Sequence, residues 1–170
     1  MIIIRDARIE DAKEIVDIFT PYVLETAITS RKVVGTVEER AQLIEKVGKS
    51  HAYLVAEEDG EVIGYSYAAP VRIQCAYAHS AETSIYLKQG VKGKKLGRRL
   101  YEALFKVLKE KDYKNLYAVV VISSDKSDPR LPTISRHFHK SMGYKEVGEF
   151  THCIEKFGNL YSIIWMEKML

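Results

Sequence analysis

Leu96, Leu100, Leu104 and Leu108 recur at every fourth residue, and Tyr101, Phe105 and Val107 fill the same side of that repeat. Large apolar side chains at this period mark a helix with one buried face, here over Leu96 to Lys111. The residues just ahead of it set what that helix can do. Residues 88 to 99 read KQGVKGKKLGRR, with Lys88, Lys92, Lys94, Lys95, Arg98 and Arg99, no acid, and glycines at 90, 93 and 97. The 170-residue chain has 26 Lys plus Arg against 23 Asp plus Glu, a net charge of only +3, so its basicity is concentrated in this stretch. The segment from about His79 to Leu87 reads as a strand, which makes the unit strand, basic glycine loop, helix. Free N–H groups at a helix N-terminus, with the positive end of its dipole, form an anion site, and flanking Lys and Arg strengthen contacts to phosphate. No GKS or GKT closes the loop as in a Walker A motif, and Gly93 and Gly97 do not fit GxGxxG. A diphosphate-bearing ligand fits it. Nucleic acid is a rival partner, but no recognition helix, finger or aromatic-interleaved motif accompanies the loop, and the bulk charge is too small to argue for one.

The remaining periods alternate between helix and strand. Ile2 to Ile4 reads as a short buried strand. Asp11 opens a helix whose apolar residues are Ile15, Ile18, Phe19 and Tyr22. Residues 23 to 35 show no clear period. Thr36, followed by Glu38 and Glu39, is an N-cap with an acidic first turn for a second helix, with Gly48 as its stop. His51 to Glu57 and Val62 to Ala69 read as a hairpin around Asp59-Gly60. Pro70 to Cys75 reads as a loop. Leu116 to Ile122 is a nearly continuous apolar strand, as in a sheet covered on both faces. Thr133 to Ser141 reads as a short helix. Tyr144 to Phe150 and Leu160 to Met166 read as a final strand pair, with Phe157-Gly158-Asn159 in the loop between them. This order predicts a mixed α/β layered domain over residues 1–170, with antiparallel pairing early in the chain.

Several classes are excluded. About 46% of the residues are hydrophobic, enough at this length for one core. No apolar run approaches the roughly 18 residues of a membrane span. The opening MIIIRDARIEDAKEI becomes charged at Arg5 and Asp6, unlike a signal peptide. Cys75 and Cys153 form no zinc, redox or disulfide spacing, and the histidines show no HExxH, so no metal is assigned. A cytoplasmic protein with ordinary thiols is expected.

The segment Lys92-Gly93-Lys94-Lys95-Leu96-Gly97, between strand and helix, resembles the acetyl-CoA pyrophosphate loop of GNAT N-acetyltransferases. Lys92 stands at the pattern's first basic position and Gly97 at its last glycine, while Lys95 replaces the middle glycine. YSYAAPVR (Tyr65 to Arg72), Ala76-Tyr77, AETSIYL (Ala81 to Leu87), HKSMGYKEVG (His139 to Gly148) and KFGNLYSIIWM (Lys156 to Met166) are similar to phosphinothricin N-acetyltransferases and related amino-acid N-acetyltransferases. The similarity covers nearly the whole chain in the family's order.

The resemblance implies the GNAT acyl-CoA N-acyltransferase fold, a mixed central sheet flanked by helices. It implies direct transfer of an acetyl group from acetyl-CoA to the primary amine of a small amino acid or analogue. Glu82 is then the general base. An attacking amine must be uncharged, and a partly desolvated carboxylate can take its proton. His139 is implied as a proton relay or oxyanion group. Lys92, Gly93, Lys94, Lys95, Leu96, Gly97 and Arg98 are implied to hold the pyrophosphate. Ile85 and Leu87 are implied to line the pantetheine arm between splayed strands, with a Leu87 backbone donor for the thioester carbonyl. Arg72, Tyr77 and Lys156 are implied near the acceptor. No nucleic acid or membrane partner is expected, and relatives commonly form homodimers. Ser30, Gln74, Cys75, His79, Pro132 and Asn159-Leu160 depart from the usual residues, which separates this chain from its relatives on the acceptor side. The alternatives are a GNAT enzyme for a polyamine, drug amine or protein N-terminus, and an inactive acyl-CoA-binding module.

Overall fold

A computed structural model describes residues 1–91 and 93–170; Lys92, expected in the pyrophosphate loop, lies outside them. The strands are β1 (Ile2–Asp6), β2 (Ala52–Glu58), β3 (Glu61–Pro70), β4 (Ser80–Leu87), β5 (Asn115–Ile122), β6 (Lys145–Lys156) and β7 (Asn159–Met169). They form one sheet in the order β1-β2-β3-β4-β5-β7-β6. The helices are α1 (Ala12–Glu25), α2 (Val37–Ser50), α3 (Leu96–Glu110) and α4 (Ile134–Ser141). The mixed α/β layering expected from the sequence is therefore present.

Alternation along the strands sorts the core into two layers. On one face Tyr53, Val55, Val62 and Tyr65 pack against Ile15, Ile18, Phe19 and Val23 of α1 and Ile44 and Val47 of α2. On the other, Leu54, Ile63, Ala68, Leu116, Ala118 and Val120 pack under α3. The four leucines that define α3 are each no more than 2% exposed. Replacing one such leucine with alanine typically costs about 2–5 kcal/mol, so this stripe anchors the helix. At Gly64 a Cβ would lie 2.7 Å from the Leu87 side chain and 3.4 Å from Leu100, so a side chain there would collide where α3 crosses the sheet.

Thr36 caps α2 as expected. Glu39 N–H donates to Thr36 Oγ1 at 3.1 Å, and Thr36 N–H donates to Glu39 Oε2 at 2.9 Å. Gly48 does not end this helix, which runs on to Ser50. Burial of Val47 and the His51 N–H to Val47 carbonyl bond (2.7 Å) hold its last turn. The final strand pair is longer than its apolar pattern suggests. Phe157 (φ 53) and Gly158 (φ 75) form a two-residue turn with both centres left-handed, and pairing resumes at once between Lys156 and Asn159. Irregular register between Phe150 and Ile154, with His152 at φ 49, breaks the alternation that would have revealed the extension.

β4 and β5 are the parallel pair. They meet at three registers only: Ser80 with Asn115, Ala81 with Leu116 and Glu82 with Tyr117. β4 continues to Leu87 against β3, and β5 continues to Ile122 against β7, with no further pairing to each other. Where the ladder stops, Thr83 Oγ1 donates to the Tyr117 carbonyl at 3.1 Å and shares a 2.7 Å bond with Tyr144 Oη. Side chains thus take over from backbone, and the sheet opens as a notch.

α3 begins beside that notch. Gly93 (φ 74), Lys94 (φ 51) and Lys95 (φ 50, ψ 34) are successively left-handed, and Lys95 is the N-cap of α3. The lysine in place of the usual glycine therefore adopts the conformation a glycine would. An L-residue there costs about 1–2 kcal/mol, while glycine costs about 0.5–1 kcal/mol more backbone entropy on folding. Lys95→Gly should leave thermal stability unchanged or slightly raised. Lys95→Val, whose branched Cβ disfavours that conformation, should lower it by about 1–2 kcal/mol. Thermal melts of the two variants test this.

Arg5 ties β1 to the turn before α1. Its guanidinium forks onto Asp11 (Nη1–Oδ2 2.7 Å, Nη2–Oδ1 2.9 Å) and its Nε donates to Glu57 at 2.8 Å. Burial raises the Asp11 pKa, but the bonds from Arg5 and Arg8 N–H outweigh it and the net shift is downward. A depressed carboxylate pKa stabilises the fold above its unfolded value and loses that contribution as pH falls through the folded value. Asp11→Asn should cost about 2 kcal/mol at neutral pH, less in acid, in urea melts across pH.

Candidate active site

A cavity of about 570 Å³ occupies the notch. Alternation along β4 places Glu82, Ser84 and Tyr86 on the α1/α2 face and Thr83 and Ile85 on the α3/α4 face. All five line the cavity, as do Val119 and Val121 of β5 and Ile163 and Trp165 of β7. The space therefore passes through the sheet. Glu82 reaches it from one face and His139 of α4 from the other. A second cavity of about 280 Å³ adjoins it on the α4 side, sharing Ile28, Val121 and Ser135.

The backbone of β4 is available to a ligand there. Lys88 N–H donates to the Ile63 carbonyl at 2.9 Å, so residues 63 and 88 form a hydrogen-bonded pair. The β3–β4 register is unbroken from Leu87 to Ala81, so bonded and non-bonded pairs alternate along it. Ile85 and Leu87 consequently turn their N–H and C=O groups away from β3 toward the side β5 has left. The Leu87 carbonyl accepts the Tyr22 hydroxyl at 2.7 Å. No partner for the Leu87 N–H is found among the described residues.

Glu82 is half-buried, and burial pushes its pKa above the ordinary carboxylate value. Among the described residues its carboxylate accepts no hydrogen bond and forms no ion pair. His139 is in the opposite condition. Its Nδ1 donates to the Ser135 carbonyl at 2.8 Å, which leaves Nε2 to accept the Tyr101 hydroxyl at 3.0 Å. Burial lowers its pKa, so the ring is held neutral. Both ring nitrogens are therefore engaged.

At the start of α3, the N–H groups of Leu96, Gly97 and Arg98 precede the first intrahelical bond, Arg99 N–H to the Lys95 carbonyl at 3.0 Å. Several loop side chains are already committed: Lys94 to Glu58, Lys88 to Glu61, Arg98 to Glu102 at 3.6 Å, and Arg99 to the Ile2 carbonyl at 3.0 Å. Gly97 is needed for space, because a Cβ there would lie 3.2 Å from the Phe138 ring of α4.

The expected acceptor residues are placed differently. Arg72 and Tyr77 are exposed on the segment between β3 and β4, and neither lines the cavity. Lys156 is 3% exposed, and its Nζ donates to the Thr29 carbonyl at 2.9 Å. Its ammonium is used to fix the strap of residues 26–36 that joins α1 to α2. That strap, through Ile28, Thr29, Ser30 and Arg31, forms a cavity wall, and Tyr67, Phe150 and Cys153 complete it. The sequence pattern did not point to Arg31, because the strap has no period and its basic residue stands outside any motif. Tyr67 reads as sheet packing and stacks on Tyr53 at 5.0 Å, but it also faces the cavity. Among the described residues no cluster of three or more His, Cys, Asp or Glu side chains could hold a metal, and no helix is long and apolar enough to cross a membrane.

Comparison with known proteins agrees with this arrangement. Residues 4–165 match the family described as acetyltransferase (GNAT) domain. The phosphinothricin N-acetyltransferase of Streptomyces coelicolor is 30% identical over 165 residues, covering 95% of this chain and 92% of that one. The L-amino acid N-acyltransferase of Escherichia coli is 29% identical, covering 98% and 93%. The crystal structure of a GNAT superfamily phosphinothricin acetyltransferase from Sinorhizobium meliloti in complex with acetyl-CoA superposes with a TM-score of 0.87 at 26% identity, covering 99% of this chain and 88% of that one. With its strands parted at β4 and β5 and its sequence matched over nearly its whole length, the chain belongs to the GNAT acetyltransferases.

Proposed function

We propose that the enzyme transfers the acetyl group of acetyl-CoA directly to the primary amine of a small amino acid or analogue, of the phosphinothricin or methionine sulfoximine and sulfone type. The observation that carries this reading is Glu82: a half-buried carboxylate, unpartnered among the described residues, in a cavity that runs along free backbone groups of β4. The pyrophosphate would sit on the N–H groups at the start of α3, with Lys92 to Arg98 around it. The pantetheine arm would lie along Ile85 and Leu87, filling the place of the missing β4–β5 ladder.

In this mechanism Glu82 takes a proton from the acceptor's ammonium, directly or through water. The amine nitrogen attacks the thioester carbon, the carbon–sulfur bond breaks, and the departing coenzyme A thiolate takes up the second proton that the nitrogen sheds, leaving the neutral amide and the free thiol. The Leu87 N–H, aimed into the notch, is the donor for the carbonyl oxygen as it gains charge. His139 is a positioning residue that holds the Tyr101 hydroxyl beside the parting of the strands. Acetyl-CoA bound to the Sinorhizobium meliloti structure supports the co-substrate, and the name of the Escherichia coli relative supports an amino-acid acceptor. Cys75 and Cys153 are free thiols, consistent with the reducing cytoplasm as the place of reaction.

The edge strand β6 exposes Val147 and Phe150, and Phe157 of the following turn and Leu160 of β7 are exposed beside it, Leu160 by 58%. A second copy would cover this edge, so we place the enzyme among the homodimers. Light scattering during gel filtration should give about twice the 19.4 kDa chain mass.

Acetyl-CoA consumption across amine classes tests the mechanism. Glu82→Gln should lower kcat by about 10²–10⁴ while coenzyme A binding persists. Wild-type kcat/KM should rise as pH passes the raised Glu82 pKa, and the variant should lose that rise. The sign for stability is opposite. A raised carboxylate pKa favours the fold at low pH and costs stability once the group ionises, so Glu82→Gln should melt higher than wild type at neutral pH. Equal turnover by wild type and variant would sink the general-base role.

A further inference from the structure

The cavity lining contains one acid, Glu82, and one permanently charged base, Arg31. Its histidine, His139, is neutral. Both charged residues belong to the same side of the sheet, since Glu82 faces the α1/α2 layer and Arg31 lies on the strap joining those helices. They do not pair with each other, and among the described residues Arg31 forms no ion pair at all. Its neighbours are committed: Lys32 to Glu155, and Lys156 to the Thr29 carbonyl.

The strap that carries Arg31 is firmly held. Ala27 N–H donates to the Arg130 carbonyl at 2.8 Å, and Arg31 N–H donates to Thr29 Oγ1 at 3.3 Å. Ala27 is buried with Val121, Leu131 and Tyr161. Arg31 is exposed on a fixed backbone, lines the same cavity as Glu82, and has no ion pair among the described residues. The wall between β5, β6 and β7 offers Val119, Val121, Ile154, Ile163 and Trp165 and no further cation.

We infer that Arg31 is a specificity-determining residue that binds the α-carboxylate of the acceptor while Glu82 receives its amine. This inference rests on the acetyltransfer reading of the site. A guanidinium holds a carboxylate through two parallel hydrogen bonds, a geometry a surface lysine does not reproduce. The enzyme accordingly selects amino acids over simple amines and over peptide N-termini.

The test compares amino acids with their decarboxylated partners: leucine with isoamylamine, methionine with 3-(methylthio)propylamine, phenylalanine with phenethylamine. Leucinamide stands for a peptide N-terminus. Wild type should favour each amino acid over its amine and its amide by on the order of 10- to 100-fold in kcat/KM. Arg31→Ala should remove most of that preference by raising KM for the amino acid far more than for the amine. Arg31→Lys should restore part of it. An equal loss on amino acid and amine in Arg31→Ala would mean a merely structural role and overturn the inference. So would an unchanged preference, or a wild type that favours amines. A wild type that acetylates no amine of any kind would remove the acetyltransfer reading itself, and this inference with it. Activity with an unaffected Arg31→Ala variant would remove only the inference.

Discussion

Everything at the site follows from where the β4–β5 ladder stops. A parallel pair normally bonds along its length, and these two strands are long enough to continue. Instead β3 holds one side of β4, β7 holds the far side of β5, and the pair shares three registers. Thr83 and Tyr144 complete the last carbonyl and close the split from the α3/α4 face. Buried backbone groups must find partners. The Leu87 carbonyl is taken by the Tyr22 hydroxyl, while the groups of Ile85 face the cavity and the Leu87 N–H turns to the same side, where a linear ligand with amide groups can satisfy them. The parted strands are thus a binding surface because they are an incomplete sheet.

The electrostatics of the cavity continue that argument. Burying a carboxylate without a partner is unfavourable, and the fold tolerates it at Glu82 alone among the residues lining this cavity. Elsewhere acids are neutralised: Asp11 by Arg5, and Glu146 by Arg136 and Lys140, which hold its pKa down to about 2. The contrast separates charges that stabilise the fold from one left unpaired among the described residues, the one proposed above as the general base. His139 shows how a titratable group can be withdrawn from such use, since backbone and Tyr101 occupy both its nitrogens.

The architecture was legible where periodicity is strong. The four leucines of α3, the Thr36 cap and the Asp59-Gly60 turn each carry a local signal that tertiary structure did not override. The long β6–β7 hairpin was only partly legible, because the irregular register near His152 shifts its alternation mid-strand. Of the site, the β4 residues and the loop were readable, since their spacing is set by one strand and one helix start. The acceptor wall was not. It is assembled from an aperiodic strap and from strands distant in sequence, and nothing local in residues 26–36 indicates which side chain faces inward.

Lys156 and Arg31 make that last point in physical terms. Both are cations, and sequence resemblance favours Lys156 as the one near substrate. In the fold Lys156 is bonded to a backbone carbonyl, and among the described residues Arg31 forms no ion pair. Lys156 sits beneath the strap, where a desolvated ammonium must be bonded, and Thr29 supplies the acceptor. Burial and the nearby Lys32 both push its pKa down, so its charge is already costly there and it has no spare affinity for a ligand. Arg31 lies exposed on the same strap, with no ion pair among the described residues. If it binds the acceptor carboxylate as proposed, the two residues act in series: the buried lysine fixes the strap, and a fixed strap limits the entropy Arg31 must lose to hold an anion. On that proposal acceptor selectivity depends as much on the bond under the strap as on the charge at its surface.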